Sequence, residues 1–323
     1  MNKNPRNLLL LSIAIPLLLA GCASTTVKST SVTPLEYAST EVAEENLLDV
    51  GVSIFNPNIE ELLEEDDALT LPEIRRAEAR YIPYLLAETL QRNGSWGAVR
   101  VIPNETSVVD VYVSGIIKHS DGELLQLEVT AKDVSGRTWF VRDYEGLTSK
   151  YTYNGQARVE RDPFQGVYNE IANDLLAYRE KLPEAQLGRL RTISELRFAE
   201  IFSPEAFSGY LETDKKGNIK ILRLPPENDP ISVRIEQIRE RDYLFIDTLQ
   251  DYYASFALDM EVSYQEWRKL TYDEVIALRE VKREARNQMI AGAALVLAGV
   301  VAAGSSDGSA RAAGAGGVLG GAY

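Results

Sequence analysis

From Val109 to Tyr144 polar and apolar residues alternate with a period of two, the signature of antiparallel strands with one dry face and one wet face. Val109, Val111, Val113 and Ile117 share one side of a first strand, and Asp110, Tyr112, Ser114 and Lys118 share the other. Leu125, Leu127 and Val129 oppose Gln126, Glu128 and Thr130 in the same way. Ser120-Asp121-Gly122 and Val134-Ser135-Gly136 have turn chemistry, so the strands form a meander ending with Thr138 to Tyr144. A sheet with one dry face needs a cover. The stretch from Phe164 to Leu182, with Val167, Ile171, Leu175 and Tyr178 as an apolar stripe, predicts a helix that supplies it.

Upstream, Leu47 to Phe55 is an apolar run with β-branched residues that stops at Asn56-Pro57-Asn58, and it predicts a buried strand. Thr70 as N-cap and Glu73 three residues on mark a helix start. Ile74, Ala77, Tyr81 and Leu85 form its apolar face, Pro83 predicts a kink, and Asn93-Gly94 ends it. Ala98 to Ile102 is a further short strand. The fold class expected is α+β, a small mixed and mostly antiparallel sheet packed by helices, followed by a mainly helical C-terminal region over 183–288. In that region Leu187 to Phe202 reads as helix and 210–224 as a hairpin around Lys215-Lys216-Gly217-Asn218. Pro225 to Pro230 breaks the chain. Ile231 to Gln288 is again helical, with Ile235, Ile238, Tyr243, Ile246, Leu249, Tyr253 and Phe256 as a buried stripe. The aromatic residues Tyr252, Tyr253, Phe256, Tyr264 and Trp267 are expected in the core rather than as a sugar platform.

Both ends carry membrane signals. Lys3 and Arg6 precede an apolar run from Leu8 to Leu19, the pattern of a signal peptide over 1–21 and too short for a comfortable span. Leu19-Ala20-Gly21-Cys22 resembles the bacterial lipobox, and the chain has a single cysteine. That resemblance implies cleavage before Cys22 and acylation of it. In such lipoproteins an aspartate after the cysteine implies retention at the inner membrane; Ala23 therefore implies the outer membrane, periplasmic face. Residues 22–46, rich in Ser and Thr, are expected to be a flexible tether. At the other end Met289 to Gly304 is uncharged. A helix of that length spans about 24 Å, short of the roughly 30 Å of a hydrocarbon core. Ala294, Ala298 and Ala302, then Ala312, Gly316 and Gly320, place small residues every fourth position, so 289–323 resembles a glycine-zipper hairpin. Membrane insertion, self-association and a weakly ordered tail all fit it.

The segment from Ala79 to Pro103 is similar to the helix-then-strand opening of the TolB amino-terminal domain and of the curli-secretion lipoproteins. Val108 to Gly146 resembles the hairpin and Trp-containing strand that follow there, and Ile171-Ala172-Asn173-Asp174-Leu175 fits the closing helix. The resemblance covers about 47–182. It implies an α/β module that works through protein contacts in envelope assembly or secretion, or alternatively a subunit of a ring-forming secretion channel.

Catalytic chemistry is scarce. With 48 acidic against 34 basic residues the chain carries a formal charge of −14, the wrong sign for nucleic acid. His119 is the single histidine, set at a strand end, and no Gly-x-Ser-x-Gly elbow accompanies it. Zinc with nitrogen or sulfur ligands would have only His119 and Cys22 to draw on, too few for a site, and no phosphate loop of the GxxxxGK type is present. The acidic run Glu60 to Asp67 lacks the spacing and glycine of a calcium loop. No catalytic, cofactor-binding or metal residue is expected, and no cofactor. The expectation is a non-enzymatic outer-membrane lipoprotein with envelope proteins as partners, a homo-oligomer and membrane contact at 289–304 being compatible with it. An envelope-polymer hydrolase is the enzymatic alternative.

Overall fold

The structure is a computed structural model and describes residues 26–29, 33–39, 42–64, 70–103, 108–153 and 162–303. In chain order these form β1 (Thr26–Ser29), a 3-10 turn (Glu44–Asn46), β2 (Val50–Ser53), α1 (Ile59–Glu64), α2 (Pro72–Asn93), β3 (Val99–Ile102), β4 (Val111–Ser120), β5 (Leu124–Asp133) and β6 (Thr138–Leu147). Then come α3 (Lys150–Tyr153), α4 (Gln165–Arg179), α5 (Glu184–Phe202), α6 (Pro204–Phe207), β7 (Leu211–Thr213), β8 (Ile219–Ile221) and α7 (Pro230–Ala303). The chain divides into two units. The first holds the sheets and the helices as far as Asp259; the second holds Asp121–Glu123, α3 and α7 from Met260 on.

In the first unit six strands lie in the order β1-β6-β5-β4-β2-β3. The β4-β5-β6 meander is antiparallel and supplies most of the paired residues, while β1, β2 and β3 join in parallel. The fold is therefore α+β with a mixed sheet. Val111, Val113, Ile117, Leu125, Leu127, Val129 and Ala131 are all completely buried, forming the dry face that the alternation predicts. α2 and α4 cover this face. A Cβ on Gly146 would come within 2.4 Å of Val167 in α4, so the sheet and helix touch there without a side chain between them. On the wet face Lys118 sits between Glu128 and Asp143 at 2.7 and 2.6 Å, a three-strand polar ladder.

The buried side of α2 is turned one residue from the predicted face. Arg75, Glu78, Ile82, Leu86 and Leu90 are buried; of the predicted face Tyr81 is buried as well, whereas Ile74, Ala77 and Leu85 are only half-buried. The cause is an ion pair on the inner side. Arg75 and Glu78 lie 3.3 Å apart, Arg75 Nη1 donates to Ile117 O, and the Ser120 hydroxyl donates to Glu78 at 2.5 Å. Thr70 does not cap α2. Leu71 holds the N-cap position and the Thr70 hydroxyl donates to Ser120 O instead, tying the loop to the end of β4. α2 runs unbroken through Pro83 and stops at Gly94, which takes φ +70° as helix ends ask of a glycine.

The N-terminal stretch is less of a tether than expected. β1 pairs with β6 from Thr26↔Asp143 to Ser29↔Gly146. Thr33 donates to Glu170, Asn173 donates to Pro34 O, and Asn93 donates to Glu36 O, so 33–36 is strapped to α4 and α2. The expected boundary at 182/183 also disappears. α5 and the opening of α7 contribute Leu190, Ile193, Leu196, Ile235 and Ile246 to the same core as the sheet. The expected break at Gln288 is absent too, because α7 is continuous to Ala303.

α7 seals one sheet edge. Gln250 donates through Nε2 to Val101 O at 2.9 Å and accepts the Val101 N–H at 2.8 Å, so one side chain satisfies both groups of Val101, while Gln91 of α2 accepts the Val99 N–H at 3.3 Å. Within the second unit, the Asp121–Glu123 turn lies against α7 at Gly122, where a Cβ would meet Arg268 O. Tyr153 donates to Gly122 O at 2.6 Å, and Glu123 pairs with Arg279.

Gly115 gives a direct test of the packing. A Cβ there would fall 2.6 Å from Cε2 of Phe55, which is 1% exposed and cannot swing clear. Gly115→Ala is expected to cost about 1–3 kcal/mol by overpacking, read as a lower denaturant midpoint. Phe55→Leu added to it should restore part of the loss.

Candidate functional site

The carboxylates of Asp49 and Asp110 stand at the mouth of the β2/β4 pair. Leu47-Leu48-Asp49-Val50 and Val108-Val109-Asp110-Val111 are two apolar runs interrupted by aspartate in the same phase. Their parallel register, Val50↔Val111, brings the two acids together. Asp110 Oδ2 accepts the Asp49 N–H at 2.8 Å, while the amides of Asp110 and Val111 both donate to Asp49 O. Asp49 Oδ1 accepts the Ala98 N–H at 2.8 Å, which brings in β3.

Two arginines face this pair. Arg100 of β3 donates to Asp247 of α7 at 2.6 Å and lies 3.9 Å from Asp49. Its guanidinium stacks 4.7 Å from the Tyr243 ring centre, and that of Arg239 lies 5.2 Å from the same ring. Arg239 Nη2 donates to Ser194 Oγ of α5 at 2.6 Å, with Glu195 4.0 Å away.

Burial dominates the electrostatics here. Asp110 is 3% exposed, and the loss of water pushes its carboxyl up to about 6. The Asp49 amide, Arg239 and Ser194 pull it back toward the charged form, and the Asp49 charge pushes it further up. Burial likewise lifts the Tyr243 phenol to about 12, opposed by Arg239 and reinforced by both aspartates. Even so, Asp110 Oδ1, Tyr243 Oη, Arg239 Nε and Arg100 Nη1 are buried without a hydrogen-bond partner among the described residues. The first three residues line a cavity of about 590 Å3 between α5 and the start of α7.

A second feature is the outer face of α7. Within the first unit Ile246 and Ala257 are buried, while Leu244, Phe245, Tyr252 and Leu258 are 63–70% exposed on the opposite side, among exposed Asp251 and Asp259. The helix is apolar on two sides where a surface helix needs one. Tyr252, expected in the core, is therefore outside it, whereas Tyr264 is buried and stacks on Trp267.

Against this geometry, no family model and no curated protein matches the chain. A crystal structure of protein XCC0632 from Xanthomonas campestris, a DUF330 protein, is similar at 10% identity and a TM-score of 0.29, over 50% of this chain and 95% of that one. So slight a likeness carries no argument.

Of the residues singled out in the sequence, Cys22 lies outside the described residues, as does 304–323. His119 sits half-buried at a register shift in β4. The acidic run forms α1 as far as Glu64 and is outside the described residues from 65 to 69. Among the described residues no group of three His, Cys, Asp or Glu side chains could hold a metal ion, and no helix is long and apolar enough to cross a membrane. The hairpin at 210–224 has strands of three residues and docks on the meander, where Ile219 N donates to Ser135 O at 2.7 Å.

The Asp110 shift fixes a pH dependence. A carboxyl raised in the folded state binds protons that the unfolded chain has released, so it costs stability as pH rises from about 4 to 6. Subtracting the stability of Asp110→Asn from that of the wild type, measured by urea unfolding at each pH, should give a difference falling by up to about 3 kcal/mol over that window and flat above it.

Proposed function

We propose that this protein is a lipoprotein of the outer membrane, anchored through acylated Cys22 and facing the periplasm, which acts by holding a partner protein rather than by catalysis. The observation that carries this reading is the outer face of α7. Leu244, Phe245, Tyr252 and Leu258 leave four large apolar side chains in water on the outer side of the helix, and exposed apolar side chains gathered on one side mark a contact surface. The partner it fits is a protein with an apolar strip bordered by lysine and arginine, because Asp251 and Asp259 lie among the apolar residues and the chain as a whole carries −14. The β3 edge is less open to a partner, because Gln250 occupies the amide and carbonyl of Val101. The lipid holds the protein at the membrane surface, and the TolB-like resemblance of 47–182 agrees with a role in envelope assembly or secretion.

Two measurements test it. In a chain truncated after Gln288, Cys22→Ser is expected to move the protein from the membrane fraction to the soluble fraction, while retention of that variant in the membrane fraction would sink the lipid anchor. For the contact, in-cell crosslinking should give a discrete adduct that disappears with the double substitution Phe245→Glu and Tyr252→Glu, at a melting temperature unchanged within about 2 °C because both side chains are exposed. An adduct equally strong in the double variant would exclude this face as the contact.

A further inference from the structure

The cavity between α5 and the start of α7 has two unlike ends. Its wall is apolar, built from Leu196, Ala199, Phe207, Val233 and Ile235. Its inner end carries Asp110 and Tyr243, whose Oδ1 and Oη lack partners among the described residues. Acidic residues dominate the rim, where Glu195, Asp229, Glu236 and Glu240 outnumber Arg191. About 590 Å3 lies in the range of small-molecule sites.

We propose that this cavity binds a primary alkylammonium group, the nitrogen donating to Asp110 Oδ1 and Tyr243 Oη and the carbon chain lying on the Leu196–Phe207–Ile235 wall. Each alternative ligand class meets an obstacle. An anion would enter past four carboxylates to reach a fifth. A metal ion would find apolar carbon over most of its coordination sphere and Arg239 beside it. A neutral apolar molecule would leave the buried carboxylate as costly as before, because only a cation supplies its missing charge. Arg239 does not neutralise it fully, since its guanidinium is shared with Ser194 Oγ and Glu195. Arg100 is turned to Asp247. The other charged group facing Asp110 is Asp49, which adds to the demand for a cation.

The test is calorimetric titration of the purified full-length protein with n-hexylammonium chloride, with n-hexanol and hexanoate as probes of the same length. At pH 7.5 hexylammonium should bind saturably and at least tenfold more tightly than either control. At pH 5, with Asp110 mostly protonated, its affinity should fall about tenfold. Asp110→Asn should abolish the preference over hexanol. Ala199→Phe, which fills the cavity and leaves Asp110 in place, should abolish binding altogether, and it serves as the deciding variant if Asp110→Asn fails to fold. Equal binding of hexanol and hexylammonium, a pH-independent affinity, or full binding by Ala199→Phe would each overturn the proposal. Nα-acetyl-lysine amide separates two sources of the same group: binding equal to that of hexylammonium assigns the site to a partner's lysine side chain, and tenfold weaker binding assigns it to a free amine.

Discussion

The placement of β2 and β3 beside the meander depends on the hydrogen bonds exchanged by Asp49 and Asp110. Antiparallel neighbours such as β4 and β5 are registered by the turn between them, but β2 and β4 are parallel and come from distant parts of the chain. Their register needs another device. The two aspartates supply it, since the Asp110 carboxylate takes the Asp49 amide, Asp49 O takes two amides from the start of β4, and the Asp49 carboxylate takes the Ala98 amide ahead of β3. Three strands are thereby aligned at one point. A bond from a buried carboxylate to a backbone amide is among the stronger contributions available to such a junction.

That device brings a charge problem with it. Two carboxylates are drawn out of water at the same place, and the structure answers with arginines from elsewhere, Arg100 on β3 and Arg239 on α7, both stacked on Tyr243. The helices are thus tied to the sheet through ion pairs and ring faces as well as through Leu196, Ile235 and Ile246. The answer is incomplete, because oxygen and nitrogen atoms along the cavity wall have no hydrogen-bond partner among the described residues. A junction built for register has become a polar pocket.

Much of this architecture was legible in the residues. The alternation of Leu125, Leu127 and Val129 marks the face that is buried, and the spacing of Val167, Ile171 and Leu175 marks the side of α4 that covers it. The reading slips where polar residues are buried. Ile74, Ala77 and Leu85 look like the inner face of α2 only if apolar spacing is the guide, and the Arg75–Glu78 pair turns the helix away from it. The Asp49–Asp110 site has a fainter trace, an aspartate in equal phase in two apolar runs. Nothing in one sequence says that segments 61 positions apart become parallel neighbours. Tyr252 falls on the outer side for the converse reason, since a helix with two apolar sides gives no spacing signal to tell the inner side from the outer.

The bond between Gln250 and Val101 joins residues separated by 149 positions. β3 is complete early in synthesis, but the side chain that closes it emerges only in the last quarter of the chain. Until then the amide and carbonyl of Val101 stay open to another extended segment, beside a Val99 amide that Gln91 of α2 already holds. The C-terminal helix is therefore a guard on assembly as much as a part of the finished body. A chain cut short before residue 250 would retain its meander and carry an open edge prone to pairing with its own kind.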